Sequence, residues 1–351
     1  MFDRILNINL ICFTLFLLAC SQPSEVTRPE FKFPLIIKEI STNETRLLQD
    51  SQNRGFDSSI LFFGKNDSSI ISANGRFILQ IPTDFSAIRT LYIIPTDLGD
   101  INSNVSVSPD KRFLAFSLKP KDPDILWEIY LLDLSSLNLK QITNSANTIY
   151  QYPSFSPDSE YLVFSGERKD VNLETLEIVN LATMKTDTVL TSQGVQSTSR
   201  RYRYPHFSDT GRIVYLGKSS AGAFTDSILS IDIFGNDKQI LDTECCFVNP
   251  VYVSQNGERI VYTKEGSPDL LVSMRSDGTD YVELMNGFNF GGGDGFSISP
   301  DGSKILYWSG KNRTLHSMDN NGQNQQVIAV GKNAIISCDL SLIAFASIRE
   351  K

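Results

Sequence analysis

The sequence predicts an all-β fold, a β-propeller of seven blades, with six as the alternative count. Two observations predict it: a short turn mark that recurs along the chain, and the β-branched and aromatic runs that flank each copy. The mark has the form Ser-x-Asp/Asn-Gly. Its copies are Ser72-Ala73-Asn74-Gly75, Ser108-Pro109-Asp110-Lys111, Ser156-Pro157-Asp158-Ser159, Ser208-Asp209-Thr210-Gly211, Ser254-Gln255-Asn256-Gly257 and Ser299-Pro300-Asp301-Gly302. A worn copy, Ser337-Cys338-Asp339-Leu340, closes the series. The mean interval is about 44 residues, the length of a four-stranded propeller blade.

Each mark reads as the turn of a β-hairpin, because Asp, Asn and Gly tolerate the backbone that tight turns need. Before it stands a short first strand such as Pro153-Ser154-Phe155 or Phe296-Ser297-Ile298. After it stands a second strand such as Tyr161-Leu162-Val163-Phe164 or Ile260-Val261-Tyr262. A third strand follows (Glu128 to Leu132, Ile228 to Ile231), then a fourth (Lys140 to Thr143, Gln239 to Leu241). In the first repeat, the fourth strand is placed near Thr96 to Ile101, and Ile60-Leu61-Phe62-Phe63 is left without a role. One four-stranded sheet cannot bury both its faces, so the blades must stack. The last mark has only two strands after which the chain ends. Leu35 to Ile40 and Thr45 to Leu48 are expected to supply the missing pair and close the ring, leaving no open edge.

The repeat, with Ser-Pro-Asp-Gly before an aromatic-ended strand and Gln141-Ile142-Thr143 closing a blade, resembles the TolB-type propeller repeat, a cousin of the WD repeat. The resemblance spans roughly residues 67 to 347 and implies the fold, not an activity. TolB carries an extra α/β domain before its propeller, and this length leaves no room for one, so a TolB role as such is not expected.

The N-terminus reads as an address. Ile5 to Ala19 is an apolar run behind Arg4, short for a membrane-spanning helix and suited to a secretory signal. It ends in Leu17-Leu18-Ala19-Cys20, which resembles the bacterial lipoprotein signal. That resemblance implies cleavage before Cys20 and lipid on its thiol. Several acyl chains, at about 0.8 kcal/mol per buried CH₂, would hold the protein at a bilayer. Ser21 is not the Asp that retains such proteins in the inner membrane, so the resemblance implies the outer membrane, with periplasmic or surface exposure open. The expected organisation is a signal over 1–19, the lipidated Cys20 and a polar tether over 20–31, and the propeller over 32–351.

Composition narrows the function. Lys plus Arg number 32 against 40 Asp plus Glu, a net charge of -8, which argues against general nucleic-acid binding. Neither His206 nor His316 has other ligands at metal spacing, and the Asp residues of the marks are explained by turn geometry. No metal and no cofactor are expected. No Gly-x-Ser-x-Gly elbow and no Ser-x-Asp-x-Gly-x-x-Trp box occur. Cys245-Cys246 and Cys338 leave three options open: an adjacent disulfide, a bridge to Cys338, or free thiols.

The expected function is therefore non-enzymatic binding through the loop-lined face, where the loops entering each first strand ring the channel. Arg201, Tyr202, Arg203 and Tyr204 form a basic aromatic cluster there, and Arg and Tyr make good interface anchors. Phe288 and Phe290 flank a glycine run, and Tyr150 and Tyr152 lie on the same rim. The expected partner is another envelope protein, peptidoglycan or a host surface, bound by a monomeric propeller. A lactonase-like or glycan-acting propeller enzyme and a structural scaffold subunit are the alternatives.

Overall fold

The computed structural model describes residues 35–48, 60–84, 86–120, 122, 126–168, 170–171, 173–192, 202–218, 226–245, 251–264, 269–288 and 295–347. Cys20, the expected lipid-attachment position, and the expected signal and tether lie outside these residues. The described chain is all-β apart from one 3-10 turn at Lys65–Asp67.

Strands β1 (Leu35–Glu39) and β2 (Thr45–Leu48) come first. One sheet holds β3 (Ile60–Phe63), β4 (Ser69–Asn74), β5 (Phe77–Pro82) and β6 (Arg89–Ile93). The next holds β7 (Asp100–Val107), β8 (Phe113–Lys119), β9 (Glu128–Asp133) and β10 (Leu139–Gln141). A third holds β11 (Thr148–Phe155), β12 (Tyr161–Arg168), β13 (Leu173–Asn180) and β14 (Lys185–Ser192). A wide fourth sheet runs through β15 (Arg203–Phe207), β16 (Ile213–Gly217), β17 (Asp226–Ile231) and β18 (Gln239–Cys245) to β20 (Arg259–Lys264), β21 (Leu270–Arg275) and β22 (Val282–Asn286), while β19 (Tyr252–Val253) pairs with β20 off this path. The fifth takes β23 (Gly295–Ile298), β24 (Lys304–Trp308), β25 (Thr314–Asp319), β26 (Gln326–Ile336) and β27 (Leu342–Ser347), then β1 and β2.

The expected count of seven blades, or six, is corrected to five hydrogen-bonded blades, two of them double width. The cause is local. Cys245 pairs with Lys264, which joins β18 to β20. β26 is one unbroken strand whose first half pairs with β25 and whose second half pairs with β27. At Gly331-Lys332-Asn333 the chain turns through a bulge, with Asn333 at φ 53°, where a connecting loop was expected.

The inner strands touch in a closed circuit: β3 to β7, β11, β15, β19, β23, β26 and back to β3. β1 pairs with β27 from Leu35↔Ala346 to Glu39↔Leu342, so the N-terminal strands do complete the last sheet. Leu35 and Ile37 are buried in that seam with Phe63 and Leu79 of the neighbouring sheet. Burying each such side chain contributes about 2 kcal/mol.

The core lies between sheets, as period-2 strands buried on both faces require. Leu162 and Phe164 pack back on Ala115, Ile129 and Leu131 of the second sheet. Val163, between them, packs forward on Phe207 and Tyr215 of the fourth.

The marks work as hydroxyl-locked turns. The buried Ser299 Oγ accepts the Lys304 N–H at 2.9 Å and donates to Asp301 Oδ1 at 2.6 Å. Ser108, Ser156, Ser254 and Ser337 repeat the pattern. Neighbouring marks also bond to each other. The Asp209 N–H donates to Gly257 O at 2.9 Å, and the Asn256 N–H to Pro300 O at 3.0 Å. Gly257 has φ +80°, and a Cβ there would stand 2.4 Å from Asp209 N, so this turn takes only glycine.

The first mark is corrected. Ser72 lies inside β4, and Asn74-Gly75 turns the chain from β4 into β5, between the second and third strands. The inner strand is β3, from the run left without a role, and the fourth strand is β6, not Thr96 to Ile101. The 3-10 turn takes the mark's place in the ring: Asp67 Oδ2 accepts the N–H groups of Cys338 (2.9 Å) and Asp339 (3.4 Å).

Candidate functional site: the central channel

Two regions of the channel carry polar chemistry, one at its loop side and one at its turn side. On the loop side, Tyr152 and Tyr204 sit on adjacent inner strands, β11 and β15, with ring centroids 4.6 Å apart. Both precede proline and both have positive φ, 59° and 50°. That backbone is strained for a bulky side chain, and such strain persists only where the surroundings enforce it. Here each Tyr occupies a β-bulge, between Gln151 and Ser154 in one strand and between Arg203 and His206 in the other. Burial pushes the Tyr204 hydroxyl up to about 12.

Tyr202 and Arg203 stand beside this pair. With Tyr152 they line a small recess of about 20 Å³ that also takes in Glu167 and Glu174. The Tyr202 N–H donates to Glu174 Oε2 at 3.0 Å, and its ring meets Tyr215 edge-on at 5.6 Å. Arg203 is corrected as a candidate anchor. Its guanidinium forms an ion pair with Asp226, whose side chain is 1% exposed, and Lys218 reaches the other oxygen of that carboxylate at 3.0 Å. Arg203 thus neutralises a buried acid instead of facing a partner.

Tyr150 is half-buried. Its ring meets Phe164 edge-on at 5.7 Å, and burial pushes its hydroxyl up to about 12, with Glu177 adding to the shift. Phe288 is corrected too: it is 2% exposed and packs edge-on against Phe296 in the core, away from the Tyr cluster. Arg201 and Phe290 lie outside the described residues. The structure therefore brings Tyr152, Tyr202, Arg203 and Tyr204 together and sets Phe288 apart.

On the turn side the channel opens into a cavity of about 260 Å³. Its wall is built by the inner strands of all five sheets, among them Phe62, Val105, Phe155, Phe207, Tyr252 and Ile298. His206 stitches the wall together. Its Nε2–H donates to Val251 O at 3.1 Å, which leaves Nδ1 to accept the Ser154 hydroxyl at 2.9 Å. Burial lowers the imidazole to about 4, so it is neutral at physiological pH. Ser297 Oγ donates to Ala334 O at 2.6 Å in the same way, between β23 and β26. At the turn-side rim stand Lys111, Gln255 and Cys338. Cys338 is an exposed free thiol, so the bridge from the Cys245-Cys246 pair is not formed; Cys246 lies outside the described residues.

Sequence reasoning passed over Lys111, Gln255 and Ser154. The first two occupy mark positions, where turn geometry already accounted for the residue types. A usable signal for the wall was the doubled Tyr-Pro-x-Phe, at Tyr152-Pro153-Ser154-Phe155 and Tyr204-Pro205-His206-Phe207. Among the described residues, no three of His, Cys, Asp and Glu gather as an ion-holding group. Nor is any helix among them long and apolar enough to cross a membrane.

No family model and no curated relative matches the chain. Its similarity is to solved structures. A putative TolB from Agrobacterium tumefaciens is 14% identical, over 92% of this chain and 100% of that one, at a TM-score of 0.50. TolB from Acinetobacter baumannii is also 14% identical, over 92% and 66%, at 0.52. An oligogalacturonate lyase from Vibrio parahaemolyticus is 10% identical, over 92% and 98%, at 0.63. At these identities the likeness shows the β-propeller fold, which hosts both kinds of protein.

Proposed function

We propose that this chain is a non-enzymatic binding module of the bacterial cell envelope. Lipid on Cys20 holds it at the outer membrane, and it docks another envelope protein, peptidoglycan or a host surface over the loop-side mouth of its channel. The observation that carries this reading is the strained Tyr152–Tyr204 pair, held 4.6 Å apart on adjacent inner strands. Tyrosines fixed on strands make large amphipathic anchors that lose little entropy on binding. The gathering of Tyr202 beside them widens that patch. The test is capture of partners from intact cells by crosslinking. The double variant Tyr152→Ala, Tyr204→Ala loses the partner while an outer-edge variant, Ile240→Ser, keeps it. Equal capture by both contradicts the reading.

The rival is an enzyme. The likeness to an oligogalacturonate lyase solved in complex with manganese, at a TM-score of 0.63 and 13% identity, favours it. Against it stands the lack of a clustered set of metal ligands among the described residues. Stoichiometric manganese retained by the purified protein after dialysis would favour the enzyme.

A further inference from the structure

Lys111, at the turn-side rim, is a half-buried cation whose hydrogen-bond partners are the Gln255 amide and the Cys338 side chain. It sits in the turn between β7 and β8 at φ 61°, and its Nζ donates to Gln255 Oε1 at 2.8 Å, across the ring. Lys38 and Arg76 likewise donate to carbonyl oxygens, of Ile328 and Ile94, whereas several other buried or half-buried cations of this chain meet carboxylates. Arg203 and Lys218 share Asp226, Arg259 meets Asp280, and Lys264 meets Asp242. Asp67 is close enough for its charge to act on Lys111, yet its Oδ2 is held by two backbone N–H groups and its Oδ1 accepts no hydrogen bond. Lys111 therefore keeps donors that no carboxylate takes among the described residues. Burial lowers its pKa from the ordinary value, while the charges of Cys338, Asp67 and Asp110 and a side-chain hydrogen bond with Cys338 oppose that shift.

Beside this ammonium lies the 260 Å³ cavity, with Phe62, Phe155, Phe207, Tyr252, Ile298 and Ile336 in its wall. We propose that the turn-side end of the channel binds a small organic monocarboxylate. The apolar body sits among these side chains, and the carboxylate sits on Lys111 Nζ. Size follows from volume: the cavity falls just under the range of about 300–1,000 Å³ that takes drug-sized ligands, so the guest has on the order of ten heavy atoms. Charge follows from the donor set. A single ammonium without an arginine fork suits one carboxylate better than a phosphate, which is favoured by bidentate donors or a helix N-terminus. The net charge of -8 further disfavours a multiply charged anion.

This inference rests on the binding reading but concerns the opposite mouth, so the two fail separately. The experiment is calorimetric titration of the detergent-solubilised full-length chain with phenylpropionate, benzoate and the neutral isostere phenylpropionamide. The expected result is one-site binding of a carboxylate with a Kd below about 1 mM, and about tenfold weaker binding of the amide. Lys111→Met removes the preference, and Lys111→Arg retains it. Equal binding of acid and amide, a preference that survives in Lys111→Met, or no binding of either carboxylate overturns the proposal. None of these results bears on partner capture at the Tyr152–Tyr204 face. Conversely, lost capture with the titration intact would sink only the docking surface.

Discussion

His206 makes the stability of the channel wall depend on pH. Its neutral ring bridges Ser154 on β11 and Val251 ahead of β19, and burial lowers its pKa from 6.5 to about 4. Between these values the unfolded chain binds the proton and the folded chain resists it. The contribution is therefore fully present above pH 6.5 and is lost as pH falls toward 4. At about 1.4 kcal/mol per unit the whole window is worth about 3 kcal/mol, of which about 2 kcal/mol is gone by pH 4.5. Carboxylates titrate in the same range, so the comparison must be differential. His206→Gln keeps a donor and an acceptor but does not titrate. Urea unfolding of both proteins from pH 7.5 to 4.5 should show their stability difference moving by about 2 kcal/mol, in the variant's favour on acidification. Parallel curves would refute the reasoning, because they would mean that the ring does not titrate between those limits.

Other consequences follow from the same geometry. Ser299→Ala strands the Lys304 N–H and removes a partner of Asp301, costing about 1–3 kcal/mol, read as a lower melting temperature. Leu35→Ala with Ile37→Ala should destabilise by several kcal/mol, about 2–5 for each site, and should speed proteolysis of β27, whose partner strand loosens. Gly257→Ala forces a Cβ against Asp209 N in a left-handed turn, so its melting temperature should fall further than that of Gly211→Ala, where the space is open. The proposed lipid anchor, which rests on the sequence and not on this geometry, predicts that Cys20→Ser abolishes metabolic labelling with an alkyne fatty acid and releases the protein from the membrane fraction.

The marks made the fold legible because they encode a turn chemically: Ser299 and Asp301 supply the hydroxyl and the carboxylate of the lock, and Gly302 takes the left-handed backbone at φ +75°. The first repeat misled because Ser72-Ala73-Asn74-Gly75 makes a genuine turn, only one connection further along the sheet. Its true counterpart, at Asp67, keeps the carboxylate that caps Cys338 N–H but has lost the serine and glycine. The blade count depended on a different property. Whether a fourth strand stops before the next first strand is decided by single pairings such as Cys245↔Lys264, and no composition signal marks them. In the site, Tyr152 and Tyr204 were readable as aromatics but not as a strained pair, because the bulges that bring them together arise from register. Arg203 was misjudged since its partner, Asp226, lies a strand and a loop away. Phe288 looked exposed only because glycines follow it.

The central claim is that the loop-side mouth grips a partner. Its most direct measurement is site-specific photo-crosslinking in intact cells, with the photoreactive residue at position 204 and, as control, at position 240 on the outer face of β18. A discrete adduct of fixed mass from position 204 and none from 240 is the result predicted. Adducts from both positions alike, or from neither, would contradict it.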